Sequence, residues 1–355
     1  MQKVFSYNAN RLICSLAFFM GFFGLLSAEK IAIIDAGSSG SRLYVYDIDA
    51  NSHDNVRLLF PIGKKQKPLS RGRALSSVAN HPDSVQVYLN QMTENFKGDS
   101  INLYIFATAG MRLKSASTAD SIYYQLEHTP LTNGYKVKSA MTISGQYEGL
   151  YGWLAANFEN GFIGFSSSVS TPMLTYIGTP HGIVEIGGAS MQVAFKANSQ
   201  HSRCLYRPGL GYVYSISYLG GGVDQIYKHT ASGKKYNFNL DLKPEINGLY
   251  NKQTKFLGLG KPINKVLEGL DDQKRKKTYK GKMKGYLKSL KHFVDTPENY
   301  HPRMTAHYVK WISDELGLDG KIISPKEDAT WTIGAAIDIA IHRITPEKYD
   351  AKLKN

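Results

Sequence analysis

Two segments, far apart in the chain, share one pattern: an apolar strand, then an acid, then a turn of glycine and serine. The first is Ile31–Ile34 followed by Asp35-Ala-Gly-Ser-Ser-Gly-Ser-Arg42, and the second is Ile183-Val184 followed by Glu185-Ile-Gly-Gly-Ala-Ser-Met-Gln192. A short apolar run bounded by turn residues is typical of a buried strand. Backbone N–H groups in such turns can bind phosphate oxygens, and glycine permits the close approach. The pattern predicts two hairpins that face each other across a phosphate-binding cleft; two unrelated turns are the alternative.

Three further segments complete an ordered series. They are Leu103-Tyr-Ile-Phe-Ala-Thr-Ala-Gly-Met-Arg112, Ser144-Gly-Gln-Tyr-Glu-Gly-Leu-Tyr-Gly-Trp153 and Ala329-Thr-Trp-Thr-Ile-Gly334. In this order the five segments resemble the apyrase-conserved regions of the nucleoside triphosphate diphosphohydrolases, and Tyr206–Asp224 resembles the stretch after the fourth region. The resemblance spans residues 31–340. It implies an α/β fold of the actin-like ATPase superfold, in which two ribonuclease H-like lobes enclose the active site in the interlobe cleft.

The length of the chain also predicts two domains, because 355 residues exceed what one core usually holds. The predicted division places residues 29–159 and 311–355 in lobe I and residues 160–310 in lobe II. Trp331–Ile341 is rich in apolar residues at helical spacing, which predicts a helix. By the resemblance, this helix returns to pack on the first lobe.

The N-terminus has the pattern of a signal peptide over residues 1–28. Lys3 and Arg11 precede the apolar run Leu12–Leu26, and the small residues Ser27-Ala28 follow it. The prediction is an exported protein, periplasmic or secreted, with no stable membrane insertion after the signal is removed; an uncleaved anchor helix is the alternative. The mature chain would keep only Cys204 and could form no internal disulfide. Because animal members of the resembled family carry several disulfides, the resemblance implies a bacterial form. A monomer is favoured, with the oligomeric state left open.

Basic residues dominate the charge of the chain. The formal net charge is +14, and lysines concentrate between Lys261 and Lys291. The favoured interpretation is a solvated helix face with a basic loop; contact with nucleic acid or an acidic membrane is the alternative. We expect no nucleic-acid partner.

The two turns supply the groups that a phosphoanhydride hydrolase needs to neutralise phosphoryl oxygens. We expect the first turn to bind phosphate through Ser38, Ser39, Gly40 and Arg42, and the second through Gly187, Gly188, Ala189 and Ser190. Arg42 could instead hold a loop in place. The resemblance further places the metal-side acids at Asp35 and Glu185, which would hold Mg²⁺ or Ca²⁺ largely through water. This chain departs from the family there, because the second acid is usually Asp.

Glu148 is the candidate general base, on the match of Glu148-Gly-Leu-Tyr-Gly-Trp153 to the family pattern. By sequence alone, an acid favoured by the helix dipole is the alternative. Thr108, Ser190 and Gln192 match the polar positions that orient the attacking water. By the same resemblance, Tyr300 stacks on the base of the nucleotide.

These features predict an exported, divalent-metal-dependent hydrolase of nucleoside 5'-triphosphates and diphosphates, in which water attacks the terminal phosphoryl group. An exopolyphosphatase or guanosine pentaphosphate phosphatase-like hydrolase is the close alternative, since it resembles the same turns. A basic protein that binds nucleic acid or membrane is the alternative of another class.

Overall fold

The computed structural model describes most of the chain. The described residues are 29–48, 57–58, 67–78, 84–95, 100–166, 173–231, 246, 248–273, 275, 277–296, 301–342 and 346. The predicted signal peptide, residues 1–28, and the predicted stacking residue, Tyr300, lie outside them. Within the described ranges, no helix combines the length and apolar character that crossing a membrane requires.

The first sheet is built on a β-hairpin that carries the first predicted turn. Its strands are β1 (Glu29–Ala36), β2 (Ser41–Ile48), β3 (Arg57–Leu58), β4 (Ser70–Gly72), β5 (Ile101–Ala107) and β6 (Tyr135–Thr142). The order is β3-β2-β1-β5-β6, with β4 also paired to β2; β2 runs antiparallel to β1, whereas β5 and β6 run parallel to it. Ile31 and Ile33 pack into one core and Ala32 and Ile34 into another. Burial on both faces explains why β1 is continuously apolar rather than alternating.

The second sheet repeats this arrangement around the second predicted turn. Its strands are β9 (Gly182–Ile186), β10 (Ser190–Lys196), β11 (Cys204–Arg207), β12 (Gly211–Leu219), β13 (Phe256–Leu259) and β14 (Ile322–Ile323). The order is β11-β12-β10-β9-β13-β14, in which β9 and β10 form the hairpin and β13 and β14 run parallel to β9. A small separate sheet pairs β7 (Ile163–Phe165) with β8 (Leu174–Tyr176). The like order of the two six-stranded sheets confirms the predicted pair of ribonuclease H-like lobes.

Helices cover the outer face of each sheet and fill the space between the lobes. They are α1 (Leu75–Val78), α2 (Ser84–Thr93), α3 (Ala109–Arg112), α4 (Ala116–His128), α5 (Gly145–Glu159), α6 (Val223–Ala231), α7 (Lys261–Asp271), α8 (Tyr279–Ser289), α9 (Pro302–Leu316) and α10 (Trp331–Ile337), which continues into a π-helical turn over Asp338–His342. One core lies between the two sheets, and its buried residues come from both sheets and from α5 and α10.

Helix α5 packs very closely on its neighbours because glycines lie at the contacts. A Cβ atom built on Gly145 would lie 2.2 Å from the Cβ of Ser217, and one on Gly149 would lie 2.4 Å from the Ser215 Oγ, both on β12. On the other side, a Cβ on Gly334 of α10 would lie 2.1 Å from the backbone oxygen of Tyr151. Since real Cβ atoms do not approach so closely, a larger residue would displace the serine side chains at Gly145 and Gly149 and the backbone at Gly334.

The C-terminal boundary of the second lobe lies further along the chain than the sequence predicts. Residue 311 falls inside α9, whose buried residues Val309 and Ile312 pack in the core of the second lobe. Strand β14 follows that helix and pairs with β13 in the second sheet. We therefore place the return of the chain to the first lobe after Ile323. The apolar pattern of α9 in the sequence does not indicate this boundary.

Replacing Gly334 with Ala tests the close contact between α10 and α5. The added methyl group meets backbone rather than a movable side chain, so we expect the free energy of unfolding to fall by about 1–3 kcal/mol, as for other overpacked sites. Urea unfolding of the purified protein measures it. Gly178→Ala is the matched control, because its Cβ would lie 3.5 Å from the Phe162 ring, an ordinary contact. Equal unfolding energies for both variants would contradict the packing described here.

Candidate active site

The two predicted turns face each other across the cleft between the lobes. In each turn the first glycine donates a 3.0 Å hydrogen bond to a backbone oxygen three residues on: Gly37 N to Gly40 O, and Gly187 N to Ser190 O. A Cβ atom on Gly188 would lie 3.2 Å from the Oγ of Ser38. The two hairpins therefore approach each other at their tips, as the repeated pattern predicts.

The second turn is held by the segment that follows β12. Its backbone oxygens accept hydrogen bonds from that segment: Gly187 O from Val223 N at 2.9 Å, Gly188 O from Asp224 N at 3.0 Å, and Ala189 O from Gly220 N at 2.8 Å. These bonds fix the peptide planes of the turn. Within the described part of the chain, no acceptor is bonded to the N–H groups of the central turn residues, which are Ser38, Ser39, Gly188 and Ala189. The tips thus offer donors to an anion.

Glu148 lies in the first turn of α5, near both hairpins. Ser144 caps that helix, its Oγ accepting a 3.3 Å hydrogen bond from the backbone N of Tyr147. The Glu148 side chain is buried, and its Oε2 is bound by the Arg112 guanidinium and by Gln192 Nε2, the latter at 3.0 Å. Among the described residues, Oε1 has no hydrogen-bond donor. The carboxylate is therefore fixed through one oxygen, and the other can accept a proton.

Gln192 lies at the centre of the polar network in the cleft. It pairs with Glu185 on β9 and with Ser217 on β12, across the two neighbouring strands. Its Nε2 lies 2.7 Å from Ser190 Oγ and 3.2 Å from Ser217 Oγ, in addition to its contact with Glu148. The predicted water-orienting residues Ser190 and Gln192 are thus brought together.

Thr108 reaches the same end of the first sheet. It follows β5 directly, its backbone N donates to Ala36 O at 3.3 Å, and its side chain is buried. The parallel pairing of β5 with β1 brings the two strand ends together, so Thr108 lies next to the Asp35 hairpin.

Arg112 is a site residue that the sequence analysis did not assign. Its guanidinium pairs with Glu148, donates through Nε to Ile143 O at 3.2 Å, and lies with Nη1 at 3.5 Å from Ser217 Oγ. Five N–H donors in a planar group suit such a set of fixed acceptors better than an ammonium. Arg112 stands in the Ala-Thr-Ala-Gly-Met-Arg motif, which the sequence analysis singled out. Its acceptors lie far along the chain, so the sequence alone did not reveal its role.

Two further acids, Asp35 and Glu185, occupy equivalent ends of β1 and β9. Burial raises the pKa of Asp35 to about 6, with a further rise from Glu148, although the Arg42 guanidinium 3.5 Å away and a hydrogen bond from Trp331 oppose it. Burial raises the pKa of Glu185 to about 8, and the charges of Glu148 and Asp35 add to this. Three carboxylates therefore act on one another within the cleft.

Trp331, in the fifth motif, was also not assigned by sequence. Its side chain helps to lower the pKa of Asp35, and its ring stacks on Tyr151 of α5, with centroids 6.4 Å apart. Arg42 contacts Asp35 and is partly exposed, which fits both roles considered for it.

A divalent cation fits the acids at the cleft. Glu185 Oε2 is buried and has no hydrogen-bond partner in the described structure, so it suits an electropositive partner. Within the described residues, no group of three or more His, Cys, Asp or Glu side chains is arranged to hold a metal directly. Hard oxygen ligands with bridging waters suit Mg²⁺ or Ca²⁺, and the water-mediated mode at Asp35 and Glu185 stays a prediction.

Two lobes of like topology, with facing hairpin turns at an interlobe cleft, define an actin-like nucleotidase fold. The chain belongs to the GDA1/CD39 (nucleoside phosphatase) family, whose model matches residues 27–237.

Proteins similar in sequence are named as apyrases or nucleoside triphosphatases. A "probable apyrase 5" of Arabidopsis thaliana is 32% identical over 237 residues, covering 62% of this chain and 45% of the relative. A "nucleoside-triphosphatase ntp-1" of Caenorhabditis elegans is 31% identical, covering 61% of this chain and 40% of the relative. The chain thus spans less than half the length of these curated relatives.

Solved structures of another family share the fold. A Ppx/GppA family member from Aquifex aeolicus is 14% identical, with a TM-score of 0.51, and the match covers 89% of this chain and 99% of that one. An exopolyphosphatase from Cytophaga hutchinsonii is 12% identical with a TM-score of 0.50, covering 88% and 98%. At such low identity these matches establish the fold alone.

The raised pKa values make the stability of the metal-free protein depend on pH. Between its ordinary value of 4.5 and about 8, Glu185 is protonated in the folded chain and ionised in the unfolded chain. The folded state then binds more protons, so the free energy of unfolding falls as pH rises through this window. Asp35 acts in the same direction between 3.8 and about 6.

We expect urea unfolding in the presence of a chelator to show this decline, and Glu185→Gln to show a shallower one above pH about 6, where Glu185 contributes more than Asp35. Identical pH slopes for the two proteins would contradict the described burial of Glu185.

Proposed function

We propose that the protein is an exported, divalent-metal-dependent hydrolase of nucleoside 5'-triphosphates and diphosphates, which releases phosphate by attack of water on the terminal phosphoryl group. The carrying observation is the position of Glu148: it acts electrostatically on Asp35 and Glu185, one from each hairpin, and its Oε2 is held by Arg112 and Gln192 while Oε1 is open. Membership of the nucleoside phosphatase family and the names of the relatives support the substrate class. The signal-peptide pattern of residues 1–28 supports export.

In this proposal the two turns supply most of the electrostatic stabilisation of the phosphoryl oxygens. Phosphoryl transfer depends chiefly on positioning and on preorganised donors for the phosphoryl oxygens. The open N–H groups at Ser38 and Ser39 bind one set of phosphate oxygens, and those at Gly188 and Ala189 bind another. Arg42, at the start of β2, adds a positive charge on the same side. The substrate thereby spans the cleft and holds the two lobes together.

The chain also positions and activates the attacking water. Glu148 Oε1 accepts the proton of the water, while the side chains of Gln192 and Ser190, with Thr108 from the first lobe, orient it toward the phosphorus. Arg112 keeps the carboxylate of Glu148 from turning away. A bound divalent cation would neutralise charge on the phosphoryl oxygens. Asp35 and Glu185 would hold that cation through water.

An exopolyphosphatase or guanosine pentaphosphate phosphatase-like activity is the second candidate. The observation that favours it is in the sequence: the acid-Gly-Ser turns and the Ala107-Thr-Ala-Gly-Met-Arg112 loop also resemble those of that family. The solved Ppx/GppA structures share the fold alone. A protein that only binds nucleic acid or membrane would leave the assembled network around Glu148 without a role, so we do not favour it as the main function.

Phosphate release from a panel of substrates tests the proposal, with Glu148→Gln as the inactive counterpart. We expect release from ATP and ADP in Mg²⁺ or Ca²⁺, and a roughly 100- to 10,000-fold lower turnover in the variant, because glutamine keeps the shape but cannot accept the proton. Nucleotide binding, measured by calorimetry, should persist. Hydrolysis of polyphosphate or guanosine pentaphosphate alone would favour the second candidate. Near-normal turnover of the variant would remove Glu148 from the mechanism.

Substitutions of Glu185 test the cation. Glu185→Asp restores the acid usual in the family and withdraws the carboxylate by one bond, about 1.5 Å. Since Mg²⁺ demands near-ideal octahedral geometry and Ca²⁺ tolerates more ligands, we expect the ratio of Mg²⁺- to Ca²⁺-supported activity to change. Glu185→Ala should nearly abolish activity with both. Titration of each variant with each metal under ATP measures this. Normal metal dependence of the Ala variant would show that Glu185 does not serve the ion.

A further inference from the structure

Four lysines form a stripe along the outer face of α8. Lys280, Lys284 and Lys288 lie four residues apart on the helix, and Lys291 follows in the turn at its end. All four are exposed. Residues three or four apart lie on one face of a helix, so the side chains project together from a line about 16 Å long. We call these four residues the lysine stripe.

The opposite face of α8 is anchored in the second lobe, which fixes the direction of the stripe. Met283 and Leu290 are buried, at 1% and 7% exposure. The hydroxyl of Tyr279 lies 2.9 Å from Ser313 Oγ on α9, and that of Tyr286 donates to Lys265 O on α7 at 3.4 Å. The helix cannot rotate to bury the stripe without breaking these contacts.

The charge of the stripe is only partly compensated, since Glu268 and Asp272 act electrostatically on Tyr286 of the same helix. None of its lysines forms a salt bridge with a described residue, and α8 contains no acid. Asp319 interacts electrostatically with Lys280, but the carboxylate of Asp295 is already bound by the backbone N of Arg303 and Met304, at 2.8 and 3.2 Å. Arg303 adds a fifth cation, since its Nη1 lies 3.4 Å from Lys291 O.

Two exposed apolar residues lie at the end of the stripe. Phe293 is 50% exposed and Val294 is 73% exposed. A turn in which Phe293 N donates to Leu290 O at 3.0 Å places them just after Lys291 and His292. A cationic face beside exposed aromatic and aliphatic side chains is typical of a surface that lies at a lipid interface. A nucleic-acid base could stack on the Phe293 ring, but an exposed valine side chain offers no stacking surface.

We propose that the lysine stripe, with Phe293 and Val294, binds the surface of a bilayer that contains anionic lipid. The lysines contact lipid headgroups, and Phe293 and Val294 enter the interface. Such binding is peripheral and requires no spanning segment. It also fits an exported enzyme, because it would keep the protein at a membrane while the cleft stays open to soluble nucleotides.

Vesicle sedimentation tests the proposal with the full chain and a matched pair of variants. One variant replaces the lysine stripe with Gln. The control replaces four exposed lysines of the first lobe with Gln, which are Lys67, Lys114, Lys136 and Lys138. Both lose the same charge, and all proteins carry the same N-terminus. We expect binding to vesicles of phosphatidylcholine with phosphatidylglycerol to exceed binding to phosphatidylcholine alone. Each lysine of the stripe contributes roughly fivefold, so the stripe variant should lose several hundredfold and the control little.

Three measurements complete the test. Phe293→Ser with Val294→Ser should weaken the binding that remains at high salt, where lysine contacts are screened. Phosphate release from saturating ATP should be unchanged in every variant, which shows that they fold. Equal loss of vesicle binding in the stripe variant and its control would overturn the proposal in favour of net charge alone. The proposal would also be overturned, in favour of nucleic acid, if the protein bound an oligonucleotide in preference to vesicles and the substitutions of Phe293 and Val294 left that binding unchanged.

Discussion

The contact of helix α5 with β12 on one side and α10 on the other determines the geometry of the cleft. Glycines at positions 145, 149 and 334 allow these elements to approach until backbone and short serine side chains touch. At that distance Glu148, one residue before Gly149, lies within reach of Gln192 on β10. With larger residues at the glycine positions, α5 would stand off from the sheet, and the contact between Glu148 and Gln192 would be lost.

The second determinant is the repetition of one hairpin in two lobes. Each lobe alone supplies a turn with open N–H groups and an acid at the end of its first strand. Only the pair supplies a cleft that can hold a chain of phosphates from both sides, with Asp35 close enough to raise the pKa of Glu185. The unfavourable crowding of these acids with Glu148 is the feature that a divalent cation would relieve. The crowded acids therefore lower the stability of the folded protein at the site where the cation would bind.

Much of the fold and the site could be predicted because the decisive patterns are local. The apolar runs of β1 and β9, the glycine turns after them and the acid of Glu148-Gly-Leu-Tyr-Gly-Trp153 all lie within short segments. Residues whose partners are distant could not be assigned. Arg112 contacts Ser217, 105 positions away, and Arg207 forms a buried two-bond pair with Asp338, 131 positions away. No periodicity marks such pairs. The lobe boundary failed for a related reason, since nothing in α9 shows which sheet it covers.

A crystal structure with Mg²⁺ and a non-hydrolysable ATP analogue tests the central claim most directly. The account predicts phosphates bound between the Ser38 turn and the Gly188 turn, and a water within about 2.6–3.2 Å of Glu148 Oε1, aligned with the terminal phosphorus. Phosphates bound outside the interlobe cleft, or an attacking water held by a group other than Glu148, would contradict it.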